Sequence, residues 1–456
     1  MPENIPAAFL NRIRQQFGDR SELFVQSLYN DPSVSIRLNP LKSCKSLFLD
    51  QEVVPWCAMG RYLDQKPVFT LDPLFHAGCY YPQEASSMVI DWLLRNVCRL
   101  PDNPKVLDLC GAPGGKSTLL ASWLNGDGLL VANEVIKSRA VVLYENLVKW
   151  GAVNTVVTRN DPNDFSEFSA LFDLMVVDAP CSGEGMFRKD QRAVDEWSPA
   201  NARMCSLRQQ RILSDVWPAL KEGGFLIYST CTFNPAENEE NMAWFSSTYG
   251  AEVLPIEVPE SWGVASVPVG QGNGLAFYPH QVRGEGFFVC VLRKTMPEKA
   301  ADYSRKQRKQ KVNEKSDPGL SRFLTLGQSY KYKQEGDQWI VFPEAVSNEI
   351  DWLLAKLNVV GYGIKMGQFL KGKFMPAHEL AMSVAINKEA FSSLELSEND
   401  ALRYLKGEAL VAPETCERGI VLVTCQGVPL GFARNIGNRM NNLYPTNWRI
   451  RMPLPG

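Results

Sequence analysis

The stretch that decides the fold is VLDLCGAPGGKST, Val106 to Thr118. It predicts a short buried strand, a glycine-rich turn and the first turn of a helix. Glycines in such a turn let the backbone approach a ligand closely, and the amides of a helix N-terminus favour negative charge. A phosphate-binding loop of the G-x-x-x-x-G-K-[ST] type is the first alternative, but Cys110 stands where its first glycine is required. The turn therefore predicts a ligand-binding loop that misses the triphosphate motif by one residue.

From Lys105 onward, short apolar segments alternate with segments of helical periodicity. The strand-like segments are KVLDLC, GLLVANEV, NTVVTRND, LMVVDAP and FLIYSTC. This alternation predicts βαβ units that form a parallel sheet with helices on both faces, a Rossmann-like α/β fold. The later segment GLAFYPHQVRGEGFFVCVLRK predicts an antiparallel hairpin at the edge of the sheet.

The same patterns divide the chain into five parts. Residues 1–98 mix helical and extended patterns, and residues 99–295 carry the alternating α/β pattern. Residues 296–320 are polar and basic, as expected of a linker. We predict a small α+β region over 321–376 and a region of glycine-punctuated strands over 377–456.

The composition is that of a globular chain, with 456 residues of which 45% are apolar and 21% charged. No apolar run is long enough to cross a bilayer, and the N-terminus has no basic-then-apolar signal pattern. We therefore expect a cytoplasmic protein without membrane contact. Eleven cysteines without CxxC spacing predict neither a zinc site nor a disulfide framework.

Basic residues are concentrated in two places, although the net charge is −2. RKQRKQK, Arg305 to Lys311, has five positive charges in seven residues, and Arg418 to Gly456 contains five arginines but no Asp, Glu or Lys. A solvated surface explains a single charge run. Arginines interspersed with aromatic residues, however, suit stacking on bases. The distribution favours a nucleic-acid-binding surface confined to part of the molecule.

Four carboxylates fall at or near the ends of four successive predicted strands: Asp108, Glu134, Asp161 and Asp178. Ligands of open α/β sheets bind at these strand ends. Capping of the following helix is an equally good explanation for any one of them. Together they favour a nucleoside with a cationic substituent, for which S-adenosylmethionine is the candidate, although a dinucleotide also fits the pattern.

Two cysteines follow neighbouring predicted strands, Cys181 after the fourth and Cys231 after the fifth. Since adjacent strand ends share one cleft, we expect the two thiols to lie near each other and near the ligand. A single cysteine at a strand end is usually buried and inert, but a pair at the ligand edge indicates chemistry. The glutamates that follow Cys231 are interpreted as helix capping, with Asn234 as the N-cap and Glu237 three residues later.

Several segments together resemble the motifs of the Nol1/Nop2/Sun family of RNA 5-methylcytosine methyltransferases. In chain order these are SIRLNP, GCYYPQEASSM, DLCGAPGGKS, ANEVIKSR, DAPCSGEGMFRK and YSTCTFNPAENE. The resemblance covers roughly residues 30–295, and the motifs occur in the order of the family. The tail GVPLGFARNIGNRMNNLYP resembles the PUA-like RNA-binding domain of the bacterial RsmF-type branch.

This resemblance implies S-adenosylmethionine as the methyl donor and an RNA cytosine as the acceptor. It implies that Cys231 attacks C6 of the cytosine, that Cys181 assists release of the covalent intermediate, and that Asp178 contacts N3 of the base. The implied cofactor-binding residues are Cys110, Gly111, Ala112, Pro113, Gly114, Gly115, Lys116, Glu134, Arg139, Asp161 and Asp178. The implied contacts to RNA are Arg188, Lys189, Arg434 and Arg439.

The RsmF-like tail favours 16S ribosomal RNA as the substrate, with transfer RNA as the alternative, and flipping of the target base is expected. A non-catalytic RNA-binding assembly factor on the same scaffold is the rival from another class, but Cys231 and the glycine loop are both intact. Cys110 disfavours an ATPase. We expect a monomer that binds RNA and no metal.

Overall fold

The structure is a computed structural model that describes residues 4–42, 44, 48–301, 317–325, 327, 329–414 and 416–454. The basic run from Arg305 to Lys311, and with it most of the predicted linker, lies outside the described residues. The helices are α1 (Ala7–Phe17), α2 (Ser21–Ser27), α3 (Pro73–His76), α4 (Val89–Asn96), α5 (Gly115–Leu124), α6 (Lys137–Trp150), α7 (Gln191–Glu196), α8 (Pro199–Val216), α9 (Glu239–Tyr249), α10 (Ser347–Lys356), α11 (His378–Met382) and α12 (Glu398–Lys406).

The strands are β1 (Val34–Leu38), β2 (Val53–Val54), β3 (Cys57–Leu63), β4 (Tyr80–Pro82), β5 (Lys105–Asp108), β6 (Leu129–Asn133), β7 (Thr155–Thr158), β8 (Phe172–Asp178), β9 (Leu220–Thr230), β10 (Glu252–Val253), β11 (Ala265–Val269), β12 (Gly272–Phe277), β13 (Phe287–Arg293), β14 (Tyr330–Glu335), β15 (Gln338–Pro343), β16 (Val359–Tyr362), β17 (Ile364–Leu370), β18 (Lys373–Pro376), β19 (Ser392–Leu396), β20 (Gly419–Cys425), β21 (Val428–Asn435) and β22 (Met440–Asn442).

A large mixed sheet forms the centre of the molecule, with the order β11-β12-β13-β9-β8-β5-β6-β7-β16 and β10 paired to β13. The five strands β9, β8, β5, β6 and β7 are parallel, which confirms the predicted Rossmann-like α/β sheet. Their apolar residues are buried on both faces, as parallel strands covered by helices require. The chain runs outward in one direction from β5 to β7 and in the other from β8 to β9, so a crevice opens at the carboxyl ends of β5 and β8.

The predicted hairpin is present, but it does not form the edge of the sheet by itself. Strands β12 and β13 pair in antiparallel fashion, and β13 inserts between β12 and β9. A further antiparallel strand, β11, covers the outer side of β12. The hairpin therefore extends the parallel sheet and leaves the edge position to β11.

The opposite edge of the central sheet is supplied by the region predicted as a separate small α+β part. Strand β16 pairs in antiparallel fashion with β7, and Gly363 N donates to Thr155 O just beyond the strand. At Gly361 a side chain would collide with the Tyr144 ring, so glycine allows β16 to lie against α6. The region beyond the linker thus shares the central sheet instead of standing apart from it.

The N-terminal region packs in two directions. Phe9 and Phe24 of α1 and α2 are fully buried against the core of the central sheet. The small antiparallel sheet β2-β3-β1-β4 follows, and its Ile36 shares a hydrophobic core with Tyr404 and Val421 near the C-terminus. The N-terminal sheet therefore joins the central domain to the last domain.

Two more four-stranded sheets complete the fold, β14-β15-β17-β18 and β19-β20-β21-β22.

Cys44 and Cys79 form a disulfide with Cα atoms 5.9 Å apart, a bond that the spacing of the cysteines did not indicate. Within the described ranges, no helix combines the length and apolarity needed to span a bilayer.

Candidate active site

A cavity of about 470 Å³ opens at the carboxyl ends of β5, β6, β8 and β9, a size typical of small-molecule sites. The predicted site residues that line it are Cys110, Ala112, Glu134, Arg139, Asp161, Asp178, Cys181 and Cys231. The predicted residues that do not line it are Gly111, Pro113, Gly114, Gly115 and Lys116. The strand ends thus bring the expected carboxylates and both thiols to one place.

Two glycines of the loop after β5 are required by its geometry. A Cβ on Gly111 would lie 2.7 Å from Ser117 Oγ. Gly114, directly before α5, has a φ of 122°, which L side chains rarely adopt. These glycines hold the loop close to the start of α5, and Gly111 N also donates to Asn133 O at 2.8 Å, which ties the loop to the end of β6.

Lys116 extends from the first turn of α5 to Asp178 at the end of β8, where Nζ lies 2.8 Å from Oδ2. Burial opposes the charge on Lys116, but the Asp178 carboxylate outweighs it, so the pKa of Lys116 is raised. Asp178 also accepts a hydrogen bond of 2.8 Å from Ser229 Oγ on β9. The carboxylate is thereby fixed between two strands and an ammonium group.

Asp108 does not join the other carboxylates at the cavity, and the interpretation of four strand-end carboxylates as one ligand site is wrong for this residue. It is fully buried beneath the loop, where it accepts a hydrogen bond of 2.6 Å from Ser117 Oγ. Burial raises the pKa of Asp108 to about 7. The residue therefore supports the glycine loop from below.

Glu134 and Asp161 illustrate two uses of a strand-end carboxylate. Glu134 accepts from Ile136 N at 2.9 Å and lies 3.3 Å from Arg139, which also donates to Ala112 O. Asp161 caps the short helix that follows β7, and it also lies 3.3 Å from the Arg211 guanidinium. Helix capping and a place in the cavity wall are therefore combined in Asp161.

The two predicted cysteines meet at the cavity, with Cys181 Sγ 3.3 Å from Cys231 Sγ. They come from neighbouring strands, since Asp178 on β8 is opposite Ser229 on β9. The hydrogen bond to Cys231, with burial as the second cause, raises the pKa of the Cys181 thiol well above its usual range. Cys181 is therefore held as a protonated thiol beside Cys231.

A buried glutamate ties the two cysteine loops together. Glu237 is fully buried and accepts hydrogen bonds from Ser182 N at 2.8 Å and from Thr232 Oγ1 at 3.4 Å. A backbone bond of 2.8 Å from Gly185 N to Cys231 O adds a second tie. Because Ser182 follows Cys181 and Thr232 follows Cys231, these bonds fix the distance between the thiols.

The interpretation of Glu237 as a helix-capping residue is wrong. Helix α9 begins at Glu239, whereas Asn234 closes a preceding turn by accepting from Ala236 N at 3.1 Å. The Glu237 side chain points back to Ser182, and burial raises its pKa to about 7. Local sequence resembles a capping box here, but the partner lies 55 residues away in the chain.

Helix α1 provides a third connection, which the sequence did not indicate. Arg12 donates to Glu184 Oε2 at 2.6 Å and to Phe233 O at 3.3 Å. Glu184 is fully buried and also accepts from Phe233 N at 3.1 Å. The N-terminal region is therefore part of the framework that holds both cysteine loops.

The four predicted RNA-contacting residues lie in two different environments. The Arg188 side chain is largely buried and forms an ion pair of 2.8 Å with Glu285. Lys189 is exposed and lies 3.5 Å from the same carboxylate. Arg434, on β21, and Arg439, directly before β22, are exposed and lie outside the cavity wall.

Two arginines of α8 line the cavity without having been singled out from the sequence, Arg208 and Arg211. Their helix contributes Gln209, which donates to Glu237 Oε1 at 3.1 Å and to Pro180 O at 3.1 Å. The signal that could have indicated these two residues is the recurrence of arginines along the exposed side of α8, next to the buried amide of Gln209. Together, the sheet order, the glycine loop and the paired thiols define a Rossmann-like α/β protein with a ligand cavity at the strand ends.

Comparison with known proteins gives the family. Three family models match parts of the chain. The model described as 16S rRNA methyltransferase RsmB/F matches residues 96–293, and the N-terminal domain of 16S rRNA methyltransferase RsmF matches residues 5–85. The methyltransferase RsmF PUA domain matches residues 391–450. Ribosomal RNA small subunit methyltransferase F of Shewanella loihica is 31% identical, over 96% of this chain and 94% of the relative. The chain belongs to the RsmB/F family of 16S rRNA methyltransferases.

Solved structures show the same fold. A methyltransferase homolog protein from Pyrococcus horikoshii is similar with a TM-score of 0.54 and 28% identity, over 63% of this chain and 94% of that one. NSun6 from the same organism, whose structure was determined with SFG, is similar with a TM-score of 0.54 and 20% identity, over 64% and 98% of the two chains. The latter likeness is one of fold.

Proposed function

We propose that this chain transfers a methyl group from S-adenosylmethionine to C5 of a cytosine in 16S rRNA. The observation that carries the proposal is the meeting of Cys181 and Cys231, 3.3 Å apart, in a cavity that Asp178 also lines. The family to which the chain belongs supports 16S rRNA as the substrate. We place the protein in the cytoplasm as a monomer.

The cavity suits the proposed cofactor in its chemistry. Glu134 directly follows β6, where a carboxylate can accept hydrogen bonds from ribose hydroxyls. Val135 and Ile136 are exposed apolar residues of the cavity wall that would contact an adenine ring. The loop from Cys110 to Lys116, together with Arg139, Asp161 and Asp178, would hold the remaining polar groups. When bound, S-adenosylmethionine supplies an electrophilic methyl group.

Cys231 would act as the nucleophile. Cytosine C5 is a poor nucleophile, so the Cys231 thiol releases its proton to solvent and its sulfur forms a bond to C6. The C5–C6 electron pair shifts toward N3, and C5 becomes an enamine carbon able to accept the methyl group. A proton taken up from solvent neutralises N3, the N3–H group donates to the Asp178 carboxylate, and the Lys116 ammonium 2.8 Å from Asp178 holds that carboxylate in place.

Cys181 would act when the product leaves. After methyl transfer, water accepts the C5 proton as the bond between Cys231 and C6 breaks, which restores the C5–C6 double bond. N3 returns its added proton to solvent. The Cys181 thiol, whose pKa is raised by its hydrogen bond to Cys231, holds a proton 3.3 Å from the departing sulfur. Its proton can therefore neutralise Cys231 as the RNA is released.

The proposal is tested with purified protein, S-adenosylmethionine and 16S rRNA that lacks base methylation. Bisulfite sequencing is expected to show 5-methylcytosine at a defined cytosine of the naked RNA or of the assembled small subunit. Absence of the modified base with both substrates would contradict the proposal.

A further inference from the structure

We propose that one exposed face of α8 binds the single-stranded RNA that flanks the target cytosine. We call it the α8 face, and its residues are Arg203, Met204, Leu207, Arg208 and Arg211. The inference rests on the proposed function, because it takes RNA as the substrate.

The five residues lie on one side of the helix. They occupy positions i, i+1, i+4, i+5 and i+8 of α8, which place them in adjacent rows. At a rise of about 1.5 Å per residue the face is about 12 Å long. All five side chains are exposed in the structure, so the face is accessible to a large ligand.

The α8 face carries positive charge that the protein does not neutralise. Arg203 and Arg208 form no hydrogen bond or ion pair with any residue in the part of the chain that the structure describes. Arg211 is paired with Asp161 and with Asp215, the only acidic residue of α8. Unpaired guanidinium groups match the oxygens of a phosphate backbone in both charge and geometry.

Two large apolar side chains lie between these arginines. Met204 is 61% exposed and Leu207 is 57% exposed. A polyanion alone would not need them, but the faces of unstacked bases are apolar and stack on side chains of this kind. An RNA strand with splayed bases therefore explains both chemical components of the face.

The face continues into the cavity. Arg208 lines the cavity together with Cys181 and Cys231. A strand that lies along α8 can thus direct one base toward the two thiols, which base flipping requires. Arg188 cannot serve this purpose, since its guanidinium is buried against Glu285.

The test compares three charge reversals in the full chain, Arg203→Glu, Arg208→Glu and Arg99→Glu. Arg99 is the matched control: it is exposed, forms no ion pair or hydrogen bond with a described residue, and precedes β5 at the opposite end of the strands. Affinity for unmethylated, transcribed 16S rRNA is measured over a range of salt concentrations, with S-adenosylhomocysteine present so that no methyl transfer occurs. Cofactor-product binding is measured separately by calorimetry.

The two α8 variants are expected to weaken RNA binding on the order of tenfold each. Each is also expected to reduce the slope of log affinity against log salt by about 0.7 to 1. The double variant Met204→Ala and Leu207→Ala is expected to weaken binding without changing that slope. Arg203→Glu should leave S-adenosylhomocysteine binding unchanged, because Arg203 does not line the cavity.

RNA affinities and salt slopes of the α8 variants equal to those of Arg99→Glu would overturn the inference. A loss of S-adenosylhomocysteine binding in Arg203→Glu as large as its loss of RNA binding would also overturn it, since it would indicate a damaged helix. Failure of the unaltered protein to methylate 16S rRNA is a different result, which counts against the proposed function.

Discussion

Cys181 Sγ lies 3.3 Å from Cys231 Sγ, although fifty residues separate the two cysteines in the chain. Neighbouring parallel strands deliver them to one edge of the sheet, and Glu237 fixes the loops that carry them. At this distance the ionisation of one thiol depends on the state of the other. The two cysteines are therefore proposed to have different roles in one reaction.

Replacement of Cys181 by alanine is expected to trap the enzyme on its substrate. Cys231 can still form its bond to C6, but the proton that assists departure of its sulfur is missing. A protein–RNA adduct that survives denaturing gel electrophoresis should accumulate. Cys98→Ala, a change at a buried cysteine after α4, is the control and should show no adduct. Normal turnover without adduct in Cys181→Ala would count against the assigned role.

Replacement of Glu237 by glutamine is expected to lower kcat by about tenfold or more, because a small displacement of reacting groups is costly. Glutamine keeps the size of the side chain, but it removes the charged acceptor for the Ser182 hydroxyl. The free energy of unfolding should fall by about 1–3 kcal/mol. Glu240→Gln, at an exposed residue of the same segment, is the matched control. Unchanged kcat in Glu237→Gln would show that the tie between the loops is not needed.

The same carboxyl group predicts a pH dependence of stability. Burial raises the pKa of Glu237 from 4.5 to about 7 in the folded protein. Below pH 4.5 the Glu237 carboxyl group is protonated in both the folded and the unfolded protein. Between pH 4.5 and 7 it ionises in the unfolded chain but remains protonated in the folded protein. The unfolding free energy contributed by Glu237 should therefore decrease across this window, by about 3 kcal/mol.

Urea unfolding of the unaltered protein and of Glu237→Gln at pH 4.5 and pH 7.5 measures this contribution. The unfolding free energy of the unaltered protein should exceed that of Glu237→Gln by a larger amount at pH 4.5 than at pH 7.5. If the difference in unfolding free energy between the two proteins is the same at both pH values, the pKa of Glu237 is not raised by folding, which would contradict the prediction.

Replacement of Arg188 by alanine is expected to act on stability. It removes the Glu285 partner at 2.8 Å and leaves Lys189, at 3.5 Å, as the remaining cation beside that buried carboxylate, which costs about 1–3 kcal/mol. Thermal unfolding should therefore shift to lower temperature in Arg188→Ala and remain close to normal in Lys189→Ala, at an exposed position. A stable Arg188→Ala protein with a reduced salt dependence of RNA binding would restore the interpretation of Arg188 as a phosphate contact.

The parts of the structure that follow from local pattern were predictable. The strands β5 and β6, which precede the glycine loop and follow α5, are short apolar runs, so their burial in a parallel sheet could be inferred. Strand order then placed Asp178, Cys181 and Cys231 at a common edge. The assignment of separate roles to the cysteines came from the resemblance to a family.

The parts that depend on distant partners were not predictable. Glu237 fits a capping pattern, but its hydrogen bonds go to Ser182, 55 residues earlier. Arg188 looks like a surface cation until Glu285, 97 residues later, folds against it. Strand β16 joins the central sheet across about two hundred residues of sequence, and a strand of four residues gives no signal of its partner.

We propose that Cys231 forms the covalent bond to the cytosine, and methylation of 16S rRNA by Cys231→Ser tests this role. This variant is expected to produce no 5-methylcytosine and no protein–RNA adduct, while it binds S-adenosylhomocysteine as tightly as the unaltered protein. Methylation by Cys231→Ser at the normal rate, detected by bisulfite sequencing at the same cytosine, would contradict it.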